Sequence, residues 1–155
     1  MIECVFDYEF RHGADVLLSI EESKALKRRY MLEKPVEAVF YTDVGDLVCR
    51  SEENFIFDGR SGGRLLDFYA PNLGSIDERV AWWMHDLLGY GQSLGFKDTN
   101  RMLRCFLRDI CGYRKPKAWL IEKAVGLSDS WYGWPEDGDW CAFNKGRVST
   151  RWITK

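Results

Sequence analysis

The run Val80-Ala81-Trp82-Trp83-Met84-His85-Asp86-Leu87-Leu88-Gly89-Tyr90 decides how this chain is read. Val80, Met84, Leu87 and Leu88 recur every three or four residues, the spacing of a helix face turned to a core, with Trp83 on its flank. Just upstream, Ser75-Ile76-Asp77-Glu78 has the form of a capping box, in which the serine hydroxyl accepts from the amide of Glu78 while the glutamate reaches back. A helix is predicted from this cap to about Tyr90, loosened at its end by Gly89 and Gly91. Inside it stands one of only two histidines in the chain, beside an aspartate. Helical spacing puts His85 at the edge of the apolar stripe next to Leu88 and Gly89, and Asp86 about 100° further round. Buried polar groups are costly unless bonded, so the pair is either a chemical centre or an expensive piece of core.

Gly95 closes a short connection, and a second helix is predicted over residues 97–111. Met102, Leu103, Phe106, Leu107 and Ile110 form its stripe. Asn100 falls on the same face, and a polar residue there needs a partner. A short connection makes the two helices antiparallel neighbours, which brings Asn100 towards His85. Pro116 suits the first turn of a third helix, carrying Ala118, Leu120, Ile121, Ala124 and Val125 and stopping at Gly126. The remainder, residues 127–155, is rich in aromatics (Trp131, Tyr132, Trp134, Trp140, Phe143, Trp152) and reads as an irregular tail.

Upstream, residues 2–10 alternate as a strand, His12-Gly13 is a turn, and residues 14–20 read as a second strand. A charged helix follows from Ser19 to about Leu32, acidic early and basic late, and Pro35 ends it. Residues 36–41 and 47–50 form a hairpin around Asp43-Val44-Gly45-Asp46, and residues 54–57 a further short strand. The expected architecture is α+β in a single domain, 1–155. A small N-terminal antiparallel sheet with one helix (1–57) and a Gly-containing loop (58–74) precede a three-helix unit (75–126) and the Trp-rich tail (127–155).

With 155 residues the chain can bury a sizeable core, and 46% hydrophobic with 30% charged residues is the composition of a globular protein. The net charge of −2 argues against a nucleic-acid binder working through bulk electrostatics. The local cations Lys24, Lys27, Arg28 and Arg29, and Arg101, Arg104, Arg108, Arg114, Lys115 and Lys117, read as solvated helix faces. No leader pattern opens the sequence and no run approaches the roughly 20 apolar residues of a membrane helix. Five cysteines (Cys4, Cys49, Cys105, Cys111, Cys141), without C-x-x-C, suggest free thiols in a reducing cytoplasm.

Between sheet and helices lies Asp58-Gly59-Arg60-Ser61-Gly62-Gly63-Arg64, where glycines let backbone groups approach a ligand. Three pieces then fit one scheme. His85 activates a water as general base. Asp86 and backbone carbonyls of Gly59, Gly62 and Gly63 hold a calcium ion. Asn100 bonds the far ring nitrogen and holds the tautomer.

This order resembles the secreted calcium-dependent phospholipases, whose site joins a Gly-rich calcium loop, a His-Asp pair, a nearby Tyr and a later Asp. The resemblance covers residues 58–100 and implies Tyr90 as the site tyrosine. Tyr90, however, stands five residues after His85 rather than four, and Asn100 stands where an Asp is expected. A longer resemblance, over about residues 54–126, is to the phage- and prophage-associated family called domain of unknown function 1353. It rests on Asp58-Gly59-Arg60-Ser61, His85-Asp86-Leu87-Leu88-Gly89-Tyr90, Thr99-Asn100-Arg101 with Phe106, Ala118-Trp119-Leu120 and Ala124-Val125-Gly126. It implies a phage setting, with other phage proteins as partners, and a place in the host cytoplasm and the virion. A homo-oligomer is compatible with it.

Three readings follow. One is a bacteriophage structural or accessory protein, with the His-Asp pair kept as scaffold. Another is a calcium-dependent hydrolase of lipid or cell-envelope esters, with His85 as base. A sugar-binding module using the tail tryptophans is a third.

Overall fold

A computed structural model describes residues 1–19, 30–57, 75–91, 93–132 and 146–153, the last five of the helical stretch as backbone. The chain is α+β, with strands first and helices after. Strands β1 (Val5–His12), β3 (Val36–Thr42), β4 (Gly45–Ser51) and β6 (Val148–Ile153) form an antiparallel sheet in the order β1-β3-β4-β6. Strands β2 (Tyr30–Met31) and β5 (Ile56–Phe57) make a separate two-stranded ladder. Helices α1 (Ala14–Leu18), α2 (Ile76–Gly91), α3 (Phe96–Asp109) and α4 (Lys115–Tyr132) complete the described part.

Pleating puts alternate residues on one face. Tyr8, Phe40 and Leu47 lie across from one another, as do Phe10, Ala38 and Cys49. This face receives the helices: the Phe40 ring lies 6.5 Å from Trp83 of α2 and 5.7 Å from Phe106 of α3. The hairpin turn is tightened by Thr42, whose Oγ1 donates to the Gly45 carbonyl at 2.7 Å and accepts from the Val44 amide.

The capping box of α2 forms: the Glu78 amide donates to Ser75 Oγ at 3.2 Å, and the Ser75 amide to Glu78 Oε1 at 3.5 Å. The same first turn is anchored from two sides, because Tyr8 donates to Asp77 at 2.6 Å and Tyr113 to Glu78 at 2.9 Å. Burial, and then these carboxylates, push both phenols well above their ordinary pKa. Beyond that anchored start, every residue from 80 to 89 is buried. A helix buried all round is the central element of a core, and not the edge-stripe helix that its spacing suggested. Trp83 brings its indole N–H to Ser51 Oγ at 2.9 Å, so even this fully buried ring has its donor satisfied.

Several expectations are corrected. Residues 14–18 form helix α1, where a second strand was expected. Gly13 turns the chain out of β1 with φ 80, and a Cβ there would lie 2.4 Å from the Pro35 carbonyl. Leu17 is then buried, and Arg79 of α2 donates to the Leu17 and Leu18 carbonyls at 2.9 and 2.7 Å, ending the helix. A short apolar run such as Val16-Leu17-Leu18 carries no period that separates the two states. The charged helix expected from Ser19 does not reach Leu32, since Tyr30 and Met31 pair with Phe57 and Ile56; its body, 20–29, lies outside the described residues. Helix α4 continues through Gly126 to Tyr132, a glycine inside a helix costing only about 1 kcal/mol. The tail is not irregular throughout: Val148–Ile153 completes the sheet against β4. Trp134, Trp140 and Phe143 lie outside the described residues.

Of the two cationic runs, Lys24 to Arg29 lies outside the described residues, and the second is tied down in part. Arg101 meets Glu3 at 3.2 Å, Arg104 meets Glu122 of α4 at 3.0 Å, and Arg108 meets Asp109 at 2.6 Å. Among the described residues, no helix is long and apolar enough to cross a membrane.

Candidate functional site

The site follows from the crossing of two helices. His85 comes from the middle of α2 and Asn100 from the first turns of α3, and the short connection folds one back along the other. His85 Nε2 lies 2.8 Å from Asn100 Oδ1, with both side chains buried at 4% exposure. An amide oxygen can only accept, so Nε2 carries the proton and, in the neutral ring, Nδ1 carries the lone pair. The bond expected from helix spacing is present, and it fixes which ring nitrogen can act as a base.

Asp86 comes nearer the ring than its angular position suggested. Its Oδ1 is 3.5 Å from His85 Nδ1, and the carboxylate is 9% exposed. That separation is too long for a strong direct bond. It does set two acceptors side by side, with Nδ1 itself buried. The Trp82 indole stands edge-on to the imidazole with centroids 6.3 Å apart, walling the ring with apolar surface. This contact was not anticipated, although Trp82 three residues before His85 is the spacing of helix neighbours.

Behind Asn100 lies a cavity of about 580 Å³ between α3 and α4, reached by Phe96, Asn100, Arg101, Glu122, Gly126 and Leu127. Asn100 thus has one end on the histidine and the other at the cavity. Among the described residues its Nδ2 has no acceptor, and a Cβ built on Gly126 would stand 3.8 Å from it. Gly126, read from the sequence as a helix stop, in fact leaves this space open.

The remaining expected site residues do not all converge. Tyr90 is half-buried and packs edge-on against Phe55, centroids 6.2 Å apart. Gly59, Gly62 and Gly63 lie outside the described residues, so of the residues expected around calcium only Asp86 is described. Its carboxylate is one oxygen donor where such an ion takes about six to eight, and among the described residues no cluster of three or more acidic, histidine or cysteine side chains stands with it. Burial pushes the thiols of Cys49, Cys105 and Cys111 upward, which keeps them protonated and poor nucleophiles at neutral pH. The four described cysteines, Cys4 included, are free.

No family model, no curated protein and no solved structure matches the chain. The reading of the site therefore rests on its own geometry.

Proposed function

We propose that the protein is a hydrolase of lipid or cell-envelope esters, acting in a bacteriophage setting, with His85 as general base. The observation that supports this is the buried 2.8 Å bond from His85 Nε2 to Asn100 Oδ1, which orients the ring and puts the basic lone pair of the neutral imidazole on Nδ1. Nδ1 takes a proton from water as the water oxygen bonds to the ester carbonyl carbon. The imidazolium so formed keeps its Nε2–H on Asn100. When the tetrahedral centre collapses and the ester C–O bond breaks, the Nδ1 proton passes to the departing alkoxide. Asp86 would hold the calcium ion, which when bound supplies Lewis-acid stabilisation of the developing oxyanion. Asn100, being neutral, stabilises the imidazolium less than a carboxylate would, so a slow enzyme is expected.

The test is hydrolysis of short-chain nitrophenyl esters and of phospholipid vesicles by the full chain, with and without calcium. Hydrolysis should fall by about 10²–10⁴-fold in His85→Gln. Millimolar calcium should raise the melting temperature of the native protein but not of Asp86→Asn. Absence of turnover together with no thermal shift would refute the proposal.

The second reading, a virion or accessory component whose partners are other phage proteins, is favoured by a separate observation. Trp119, Leu120 and Leu127 on α4 and Trp152 on β6 are exposed. Aromatic residues are enriched at protein interfaces. Under this reading the protein co-purifies with particles at fixed stoichiometry; recovery from the lysate alone counts against it.

A further inference from the structure

We infer that the cavity between α3 and α4 is a binding site for an anionic acyl amphiphile, whose head accepts a hydrogen bond from Asn100 Nδ2. The inference does not rest on hydrolysis by His85, because the cavity lies on the far side of Asn100 from the imidazole.

Three observations converge. A side chain 96% buried presents an amide N–H to the cavity, and its other end is held by His85 at 2.8 Å. Such a donor is fixed in direction before any ligand arrives, which is how a small-molecule site sets orientation. The walls are mixed in a useful way: Met1, Phe96 and Leu127 are apolar, and the volume of about 580 Å³ falls within the range of ligand pockets. The charges around it favour an anion. Lys97, Arg101 and Lys123 face Asp98 and Glu122; Arg101 meets Glu3 at 3.2 Å, and Glu122 meets Arg104 at 3.0 Å and Lys123 at 3.4 Å, which leaves Lys97 as the cation of the rim for an incoming anion. Lys97 is exposed and has no ion pair among the described residues. A carboxylate on an apolar chain matches an N–H donor, a cationic rim and an apolar wall together.

Asn100 also makes the site communicate with His85. A negative head bonded to Nδ2 polarises the amide and enriches Oδ1 in electron density. This strengthens the Nε2–H···Oδ1 bond, as chained hydrogen bonds do. The occupant thus supplies, through a neutral amide, part of the charge that an aspartate at this position would carry.

The probe is decanoate, titrated below its micellar concentration into the full chain by calorimetry, with decyltrimethylammonium as the cationic counterpart. Saturable one-site binding of decanoate is expected, with the ammonium amphiphile weaker by about tenfold or more. Gly126→Leu should fill the cavity without weakening the helix, and should abolish binding while the melting temperature holds. Asn100→Asp keeps an acceptor on His85 but sets a like charge against the ligand, and should also remove binding. The His85 Nε2–H proton resonance should move as decanoate saturates the native protein and stay still in Gly126→Leu. The inference is overturned by non-saturable uptake, by equal binding of the two amphiphiles, by undiminished binding to Gly126→Leu or Asn100→Asp, or by an Nε2–H resonance indifferent to saturation. A catalytically dead protein that still binds decanoate refutes the hydrolase reading alone.

Discussion

The His85–Asn100 bond can be weighed by a double-mutant cycle with His85→Leu and Asn100→Leu. Replacing Asn100 alone leaves a buried imidazole N–H facing an aliphatic group. Replacing His85 alone strands a buried amide oxygen. Each loss costs about 1–3 kcal/mol, the desolvation of an unsatisfied group, whereas replacing both partners by apolar groups is nearly neutral. Both side chains are 4% exposed, so water cannot step in to relieve either single variant. The single losses sum to about 2–6 kcal/mol against a nearly neutral double variant, so a coupling of about 2 kcal/mol or more is expected, with the double variant more stable than the sum of the singles predicts. For a chain of this length 1 kcal/mol moves the melting temperature by about 2–4 °C. The assay is urea unfolding followed by tryptophan fluorescence, which the buried Trp82 and Trp83 report. An unchanged slope with denaturant shows that only stability has changed. Additivity within about 0.5 kcal/mol would refute a formed, desolvated bond and with it the orientation of His85.

Ser75→Ala removes the capping hydroxyl of α2 and should lower stability by about 1 kcal/mol in the same urea assay. The effect should shrink in a Glu78→Ala background, since the two side chains act reciprocally. Asp109 is pushed up by burial, but the Arg108 guanidinium and the Val5 amide more than reverse this and hold its carboxyl below the ordinary range. A depressed folded pKa contributes stability above the unfolded value of about 3.9, and that stability is lost as pH falls through the folded value. Asp109→Asn should therefore flatten the acid limb of a pH–stability curve, and an unaltered limb would count against this clamp. Cys49 and Cys105, buried and pushed upward, should resist iodoacetamide in the native protein and label fully in urea; fast native labelling would contradict their placement.

The parts legible in the sequence are those where one local signal suffices. Ser75 and Glu78 announced the start of α2, and Val36 to Arg50 announced the hairpin. Asn100 announced its need for a partner, because it interrupts an apolar face. What was not legible depends on the other side of the molecule. Val16-Leu17-Leu18 becomes a helix because Arg79, some sixty residues later, accepts the burden of its end carbonyls. Val148–Ile153 becomes a strand because β4 offers an unpaired edge. Gly126 has the chemistry of a stop, yet it stays helical in α4, whose face Ala118, Ile121 and Val125 bury just ahead of that position. The approach of Asp86 to His85 was hidden for a related reason. Angular spacing fixes where a Cα lies, but packing selects the rotamers that bring two side-chain tips to 3.5 Å.

The most informative substitution is Asn100→Asp, because it separates an oriented base from a strong one. Asparagine and aspartate have nearly the same shape, so the 2.8 Å contact with His85 Nε2 can persist while a charge is added. A carboxylate at that distance favours the imidazolium and should raise the titration of His85 above that of the native protein. The sign follows from linkage: a histidine with a raised folded pKa contributes stability that is complete below its unfolded value near 6.5 and is lost as pH rises through the folded value. Relative to the native protein, Asn100→Asp should thus be favoured at pH 5 and lose that advantage towards pH 8. NMR of the ring nitrogens measures the titration, and urea unfolding at the two pH values measures its consequence. If the proposed hydrolysis occurs, the same substitution should increase its rate by stabilising the imidazolium of the transition state. A variant with unchanged ring titration would show that residue 100 does not govern His85. The neutral amide would then be a packing choice, and the crossing of α2 and α3 would lose its claim to be a reaction centre.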